Sequence, residues 1–187
     1  DNLYTYDMRV YFKDYDALPK KDPYLLLKKI SENLKKHNPF SSKIIEKMLE
    51  EKSFDLEARM NKTNITYASY LHNFDTSFIF TNYEANHTDF SKFITCLSYA
   101  LINYLSSYNE IIEYTSPEDD IVRAYSTAFS FIIHDFIDKL FVKGSEKYAV
   151  AYKIKLLYDI LFYCLISEFE ESLYLDIKTD VDERYEI

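Results

Sequence analysis

A single glycine, four prolines and no tryptophan stand in a chain of 187 residues. So little glycine and proline argues against an all-β fold built on many tight turns, and against a phosphate-cradling glycine loop. Only two cysteines are present, Cys96 and Cys164, too few for a disulfide scaffold. Each lies inside an apolar helical pattern, which suits either two buried thiols or one bridge between helices. No apolar run is long enough to cross a bilayer, because the best stretch, 148–166, is interrupted by Lys153, Lys155 and Asp159. Positive charge is also short: the formal net charge of -9 disfavours nucleic acid or an anionic membrane as the main partner.

What fills the chain instead is aromatic. Nineteen tyrosines and fourteen phenylalanines must supply most of the packing volume. Each tyrosine hydroxyl needs water or a partner, so many tyrosines are expected at helix flanks and interfaces. A chain of this length builds one substantial core. The expected class is all-α, a compact bundle of five to six helices with a hydrophobic central helix. Its expected parts are an N-terminal arm over 1–21, a helical domain over 22–175 and an acidic tail over 176–187.

The central helix is expected in Ser116–Gly144, where Ser116 and Pro117 form a start, Glu118, Asp119 and Asp120 suit the helix dipole, and Gly144 forms a stop. Ile121, Tyr125, Ala128, Ile132, Phe136 and Leu140 follow helical spacing, widened by Val122, Phe129, Ile133 and Ile137. The remaining stripe, Arg123, Thr127, Ser130, His134 and Asp138, is the candidate interaction surface. Asp22–Pro23 starts an earlier helix that should stop before Asn38–Pro39, and Ser41 or Ser42 starts the next. Thr88–Asp89 caps a helix from Phe90 to about Ile112, and a last long helix runs from about Glu146 to about Tyr174. Within 61–89 the run Thr76–Tyr83 suits either a short strand or a buried connection.

Local signatures of catalysis are missing: no His-Glu-x-x-His, Gly-x-Ser-x-Gly or Cys-x-x-Cys occurs. His134 and Asp138, one helical turn apart, are the best polar pair, and two such groups do not make a metal site. A thiolate paired with His134 is disfavoured because burial among Leu, Tyr and Phe raises a thiol pKa. Glu168, Glu170 and Glu171 suit a solvated face. No catalytic residue, metal or cofactor is therefore expected, and the chain is expected not to be an enzyme. Its expected partner is another protein or a second copy of itself, with no nucleic acid and no transmembrane segment.

Three pieces, YLLLKKISENLKKHNPFSSKIIEKM from Tyr24, FSKFITCLSYALINYL from Phe90 and DDIVRAYSTAFSFIIHDF from Asp119, resemble the helical repeat domains of spider silk proteins. The last carries the acidic start followed by Ala-Tyr-x-x-Ala-Phe-Ser. That resemblance implies a secreted, structural, self-associating module. Sequons at Asn61, Asn64 and Asn86, and a first residue other than Met, suit the same secreted or extracellular location. By size and composition the chain also resembles the poxviral apoptosis-inhibitor fold, although the Asn-Trp-Gly-Arg motif of that groove is absent. The alternative function it implies is groove binding of a partner's amphipathic helix, in the cytoplasm of a host cell.

Overall fold

The computed structural model describes residues 15–175. They form two compact units, one up to Tyr148 and one from Ala149 onward. Among the described residues there are five α-helices and five strands in two small sheets, so the fold is rich in helix without being all-α. The predicted arm lies largely outside the described residues, and the predicted tail lies wholly outside them.

In the first unit, α1 (Pro23–His37) and α2 (Pro39–Glu50) form a hairpin whose ends follow from local chemistry. Asp22 Oδ1 accepts from the Tyr24 and Leu25 amides at 2.9 and 3.1 Å, as the Asp-Pro start predicts. Asn38 serves both helices: its amide donates to Leu34 O at 2.7 Å, and its Oδ1 accepts from the Ser41 amide at 3.1 Å. Ser41 and Ser42 therefore lie inside α2 instead of starting it. Ser42 is small enough to sit buried at the crossing, where its hydroxyl lies 2.9 Å from that of Ser31.

The ambiguous region 61–89 resolves into strands. β2 (Phe54–Glu57), β3 (Tyr67–Leu71) and β4 (Thr76–Tyr83) form a sheet with β4 in the centre, parallel to β2 and antiparallel to β3. Alternation along β4 is regular: Ser77, Ile79, Thr81 and Tyr83 are buried, whereas Phe78, Phe80 and Asn82 are half-buried. The buried face packs on α3 (His87–Ser106), where Ser77 donates to Ala100 O at 2.7 Å. Asn86 caps α3 by accepting from the Asp89 amide at 2.8 Å. α3 buries Phe90, Phe93, Ile94, Cys96, Leu97, Ser98, Ala100, Leu101, Ile102 and Tyr104, and is the most deeply buried helix of the unit.

That finding corrects the sequence reading, which made Ser116–Gly144 the central helix. After a 3-10 turn (Ile112–Thr115), that stretch forms α4 (Asp119–His134), another 3-10 turn (Ile137–Lys139) and the strand β5 (Phe141–Lys143). Ser116 closes the preceding 3-10 turn and does not cap α4, which Glu118 precedes without a side-chain cap. Phe136, Ile137, Leu140 and Phe141 are buried beside a non-local partner: β1 (Leu18–Pro19) pairs with β5, and the Lys20 amide donates to Leu140 O at 2.9 Å. The face of α4 is also rotated from the predicted one. Ser126, Phe129, Ser130 and Ile133 are buried, whereas Ile121 and Ala128 are exposed. Ser130 tolerates burial because its hydroxyl donates to Ser126 O at 3.0 Å within the helix.

In the last helix, α5 (Ser145–Leu175), every apolar side chain between Leu157 and Ile166 is exposed. No helix among the described residues is long and apolar enough to cross a membrane. Cys96 is buried, Cys164 is exposed, and both are free thiols, so the inter-helix bridge is not formed.

Gly144, the chain's only glycine, has φ +70°, in the left-handed region. A Cβ there would lie 2.7 Å from Ala17 Cα, against backbone that cannot step aside. Strain and clash both oppose a side chain, so Gly144→Ala should destabilise the protein by about 2 kcal/mol or more, read as a lowered Tm.

Candidate functional site

The predicted interaction stripe is divided between α4, which carries Arg123, Thr127, Ser130 and His134, and the 3-10 turn after it, which carries Asp138. Arg123 is exposed, Thr127 half-buried and Ser130 buried, so the three do not share one accessible face. His134 is half-buried at the end of α4, its ring 5.9 Å from that of Tyr148. Asp138 is exposed in the following 3-10 turn. The helix ends between His134 and Asp138, which removes the one-turn spacing that made them a pair. Glu168, Glu170 and Glu171 are exposed on α5. Burial pushes the Cys96 thiol up to about 12, which keeps it protonated at neutral pH. Among the described residues, no group of three or more His, Cys, Asp or Glu side chains converges in metal-binding geometry.

Polar chemistry gathers instead around the three-stranded sheet. Its two edges differ. On the β2 side, Lys62 Nζ donates to Asp55 Oδ1 at 2.9 Å and to the carbonyls of Asp55, Glu57 and Thr81 at 3.0, 3.0 and 2.6 Å. Only 1% of the Lys62 side chain is exposed, and its ammonium also lies 4.5 Å from the Phe80 ring centroid. Arg59 adds a bidentate pair to Asp55, at 2.5 and 2.8 Å. Arg59 foremost, then Lys62, hold the Asp55 carboxyl far below the usual carboxylate range. This clasp sits where the register between β2 and β4 shifts, so the β2 edge is irregular and carries charge, two features that block further pairing.

The β3 edge is open. β3 pairs only with β4 among the described residues, in unbroken register from Tyr67↔Phe80 to Leu71↔Thr76. Tyr67, Ser69 and Leu71 are exposed on it, and the Tyr67 ring stacks on Phe80 at 5.4 Å. Beyond Leu71 the chain turns through Asp75, a non-glycine residue at φ +48°. Asp75 accepts at 2.6 Å from Tyr70 and at 2.7 Å from Lys47 on α2. These contacts anchor the turn: Lys47, above all, holds the Asp75 carboxyl down, and Asp75 in turn holds the Lys47 proton on. Lys47 also reaches the Tyr104 hydroxyl at 3.1 Å, and Tyr108 donates to that hydroxyl at 2.8 Å. The cluster thus joins α2, α3 and the β3–β4 turn, beside a cleft of about 410 Å³ between Phe40, Lys43, Ile44, Lys47, Tyr104 and Tyr108.

Sequence reasoning missed all of these groups. Lys47 and Asp75 lie 28 positions apart, and nothing local marks either of them. The visible signals were the strand option for Thr76–Tyr83 and the tyrosine excess.

No protein-family model and no curated protein matches the chain. Solved structures do match. One assigned as oligoendopeptidase F overlays with a TM-score of 0.76 at 22% identity, covering 98% of this chain and 33% of its own. Another, assigned as oligoendopeptidase F from Bacillus anthracis str. Ames, gives 0.76 at 21% identity, covering 99% and 34%. PZ peptidase A, solved with an inhibitor, gives 0.71 at 22% identity, covering 89% and 32%. The chain spans about a third of the length of these structures. The fold they share with it corrects the resemblance to spider silk domains, and with it the reading as a structural, self-associating module. The alternative of a viral apoptosis-inhibitor-like helix binder falls with it. So does the expectation of a non-enzyme, since the proteins of like fold are peptidases by name.

The clasp yields a test of the sheet's construction. Lys62→Met leaves Asp55 with Arg59 alone and three carbonyls without their donor, and should cost about 2 kcal/mol by chemical denaturation. Because the Asp55 pKa is depressed on folding, its stabilisation is present above the ordinary carboxylate value near 4 and is lost as pH falls below it. Lys62→Met should accordingly flatten the acid limb of the stability profile; an unchanged limb would show that the clasp is not formed in solution.

Proposed function

We propose that this chain is part of a peptide-cleaving protein of the oligoendopeptidase F type, and that the described portion holds an extended oligopeptide along β3. The observation that carries this reading is the fold likeness, which runs over 98–99% of the chain in two of the solved peptidases. Cleavage is proposed for the fold as a whole, of which this chain spans a third, and peptide holding for the part described here.

The open edge supports the second half of the reading. An extended peptide satisfies its own N–H and C=O groups by adding to a sheet edge, and takes specificity from alternate side chains. β3 has the five regular residues needed, while the β2 edge is closed by its register shift and by Lys62. Tyr67 and Leu71 offer apolar contacts at the two ends of the strand.

Calorimetric or fluorescence titration of the protein with unstructured oligopeptides tests this. Saturable binding is expected, weakened about tenfold or more when alternate peptide nitrogens are N-methylated, since each lost hydrogen bond is worth about 1 kcal/mol. Indifference to N-methylation in both alternate registers would rule out strand addition; no binding at all would rule out the peptide-holding reading.

A further inference from the structure

The cleft beside the end of β3 has a donor that no group among the described residues uses. Tyr104 accepts twice, from Lys47 Nζ at 3.1 Å and from the Tyr108 hydroxyl at 2.8 Å. A phenol oxygen that accepts two hydrogen bonds keeps its own proton to give, and the adjacent ammonium makes that proton a better donor. Holding the hydroxyl between these two groups also fixes its rotation. Lys43, exposed on the same wall of α2, adds a second ammonium. The rest of the lining, Phe40, Ile44 and the Tyr108 ring, is apolar. An acceptor with negative charge and an apolar group attached to it satisfies all of these at once.

We infer that this cleft binds the free C-terminal carboxylate and apolar last side chain of an oligopeptide, with Tyr104 and Lys43 on the carboxylate and Phe40 and Ile44 against the side chain. The inference rests on the proposed holding of a peptide along β3. The two surfaces are continuous: Tyr70 of β3 bonds Asp75, Asp75 bonds Lys47, and the Tyr70 and Tyr104 rings meet edge-on at 5.9 Å. The cleft therefore adjoins the C-terminal end of β3, and a peptide whose last residue enters it runs parallel to that strand. The opposite direction would bring an N-terminal ammonium to Lys43, which repels it.

The experiment compares one oligopeptide ending in Leu as its free acid and as its amide, titrated into the full chain and into Lys43→Ala and Tyr104→Phe variants. The acid is expected to bind about tenfold to a hundredfold more tightly than the amide, the worth of a charge-assisted contact. Both variants should shrink that ratio. Lys43 is exposed, so its variant stays folded even if Tyr104→Phe does not. Equal binding of acid and amide, or a ratio untouched by Lys43→Ala, overturns the carboxylate site. If N-methylation still weakens binding in that case, the edge-strand reading survives; if neither peptide binds, both fall.

Discussion

Burial of α3 over most of its surface is the constraint from which the rest of the first unit follows. A helix that buries Phe90, Phe93, Leu97, Leu101 and Tyr104 together with Cys96, Ser98, Ala100 and Ile102 leaves only the narrow stripe of Ser91, Thr95, Tyr99 and Asn103, with Lys92 and Leu105 beside it, towards water. One side takes the sheet, with the hydroxyl of Ser77 set on the Ala100 carbonyl. Other sides take α2, α4 and the short β1 strand. Phe90 meets Phe141 and Tyr148 edge-on at 4.9 and 5.4 Å, which fixes the start of α5 against the same helix. Since β4 lies on α3, β3 and β2 are left as the two edges, and the chemistry of each edge decides its use.

Helix ends and hairpins with local causes were legible in the sequence. Asp22–Pro23 capped α1, and Asn38–Pro39 ended it. The reading of Ser116–Gly144 as one unbroken central helix failed for a physical reason, although α4 with its acidic first turn lies within it. A helical period through Phe136 and Leu140 is also consistent with an apolar run buried by a distant partner, and here that partner is Leu18–Pro19. Burial of Ser126 and Ser130 was equally hidden, because hydroxyl back-bonding is invisible to a polar-versus-apolar pattern. The candidate site was less legible still. Its groups come from α2, α3 and a turn held at positive φ, joined only by tertiary contacts. The tyrosine excess did point to hydroxyl partners, and Tyr70, Tyr83, Tyr104 and Tyr108 each have one.

The two edges of the sheet illustrate how one fold separates support from use. Lys62 and Arg59 neutralise Asp55, and Lys62 occupies the Asp55, Glu57 and Thr81 carbonyls beside the register shift, so the β2 edge is spent on stability. On the β3 side, the equivalent polar cluster is displaced beyond the strand end, where Lys47 and Asp75 brace the turn and leave the strand's outer backbone open. An open edge is a hazard for aggregation unless something fills it, and a peptide is the occupant that matches its chemistry.

Hydrogen exchange of the protein with and without a saturating oligopeptide measures that occupancy most directly. Slowed exchange within 67–71, with 123–138 unchanged, is the predicted result. Protection confined to 123–138, with none at 67–71, would contradict it and return the functional surface to α4.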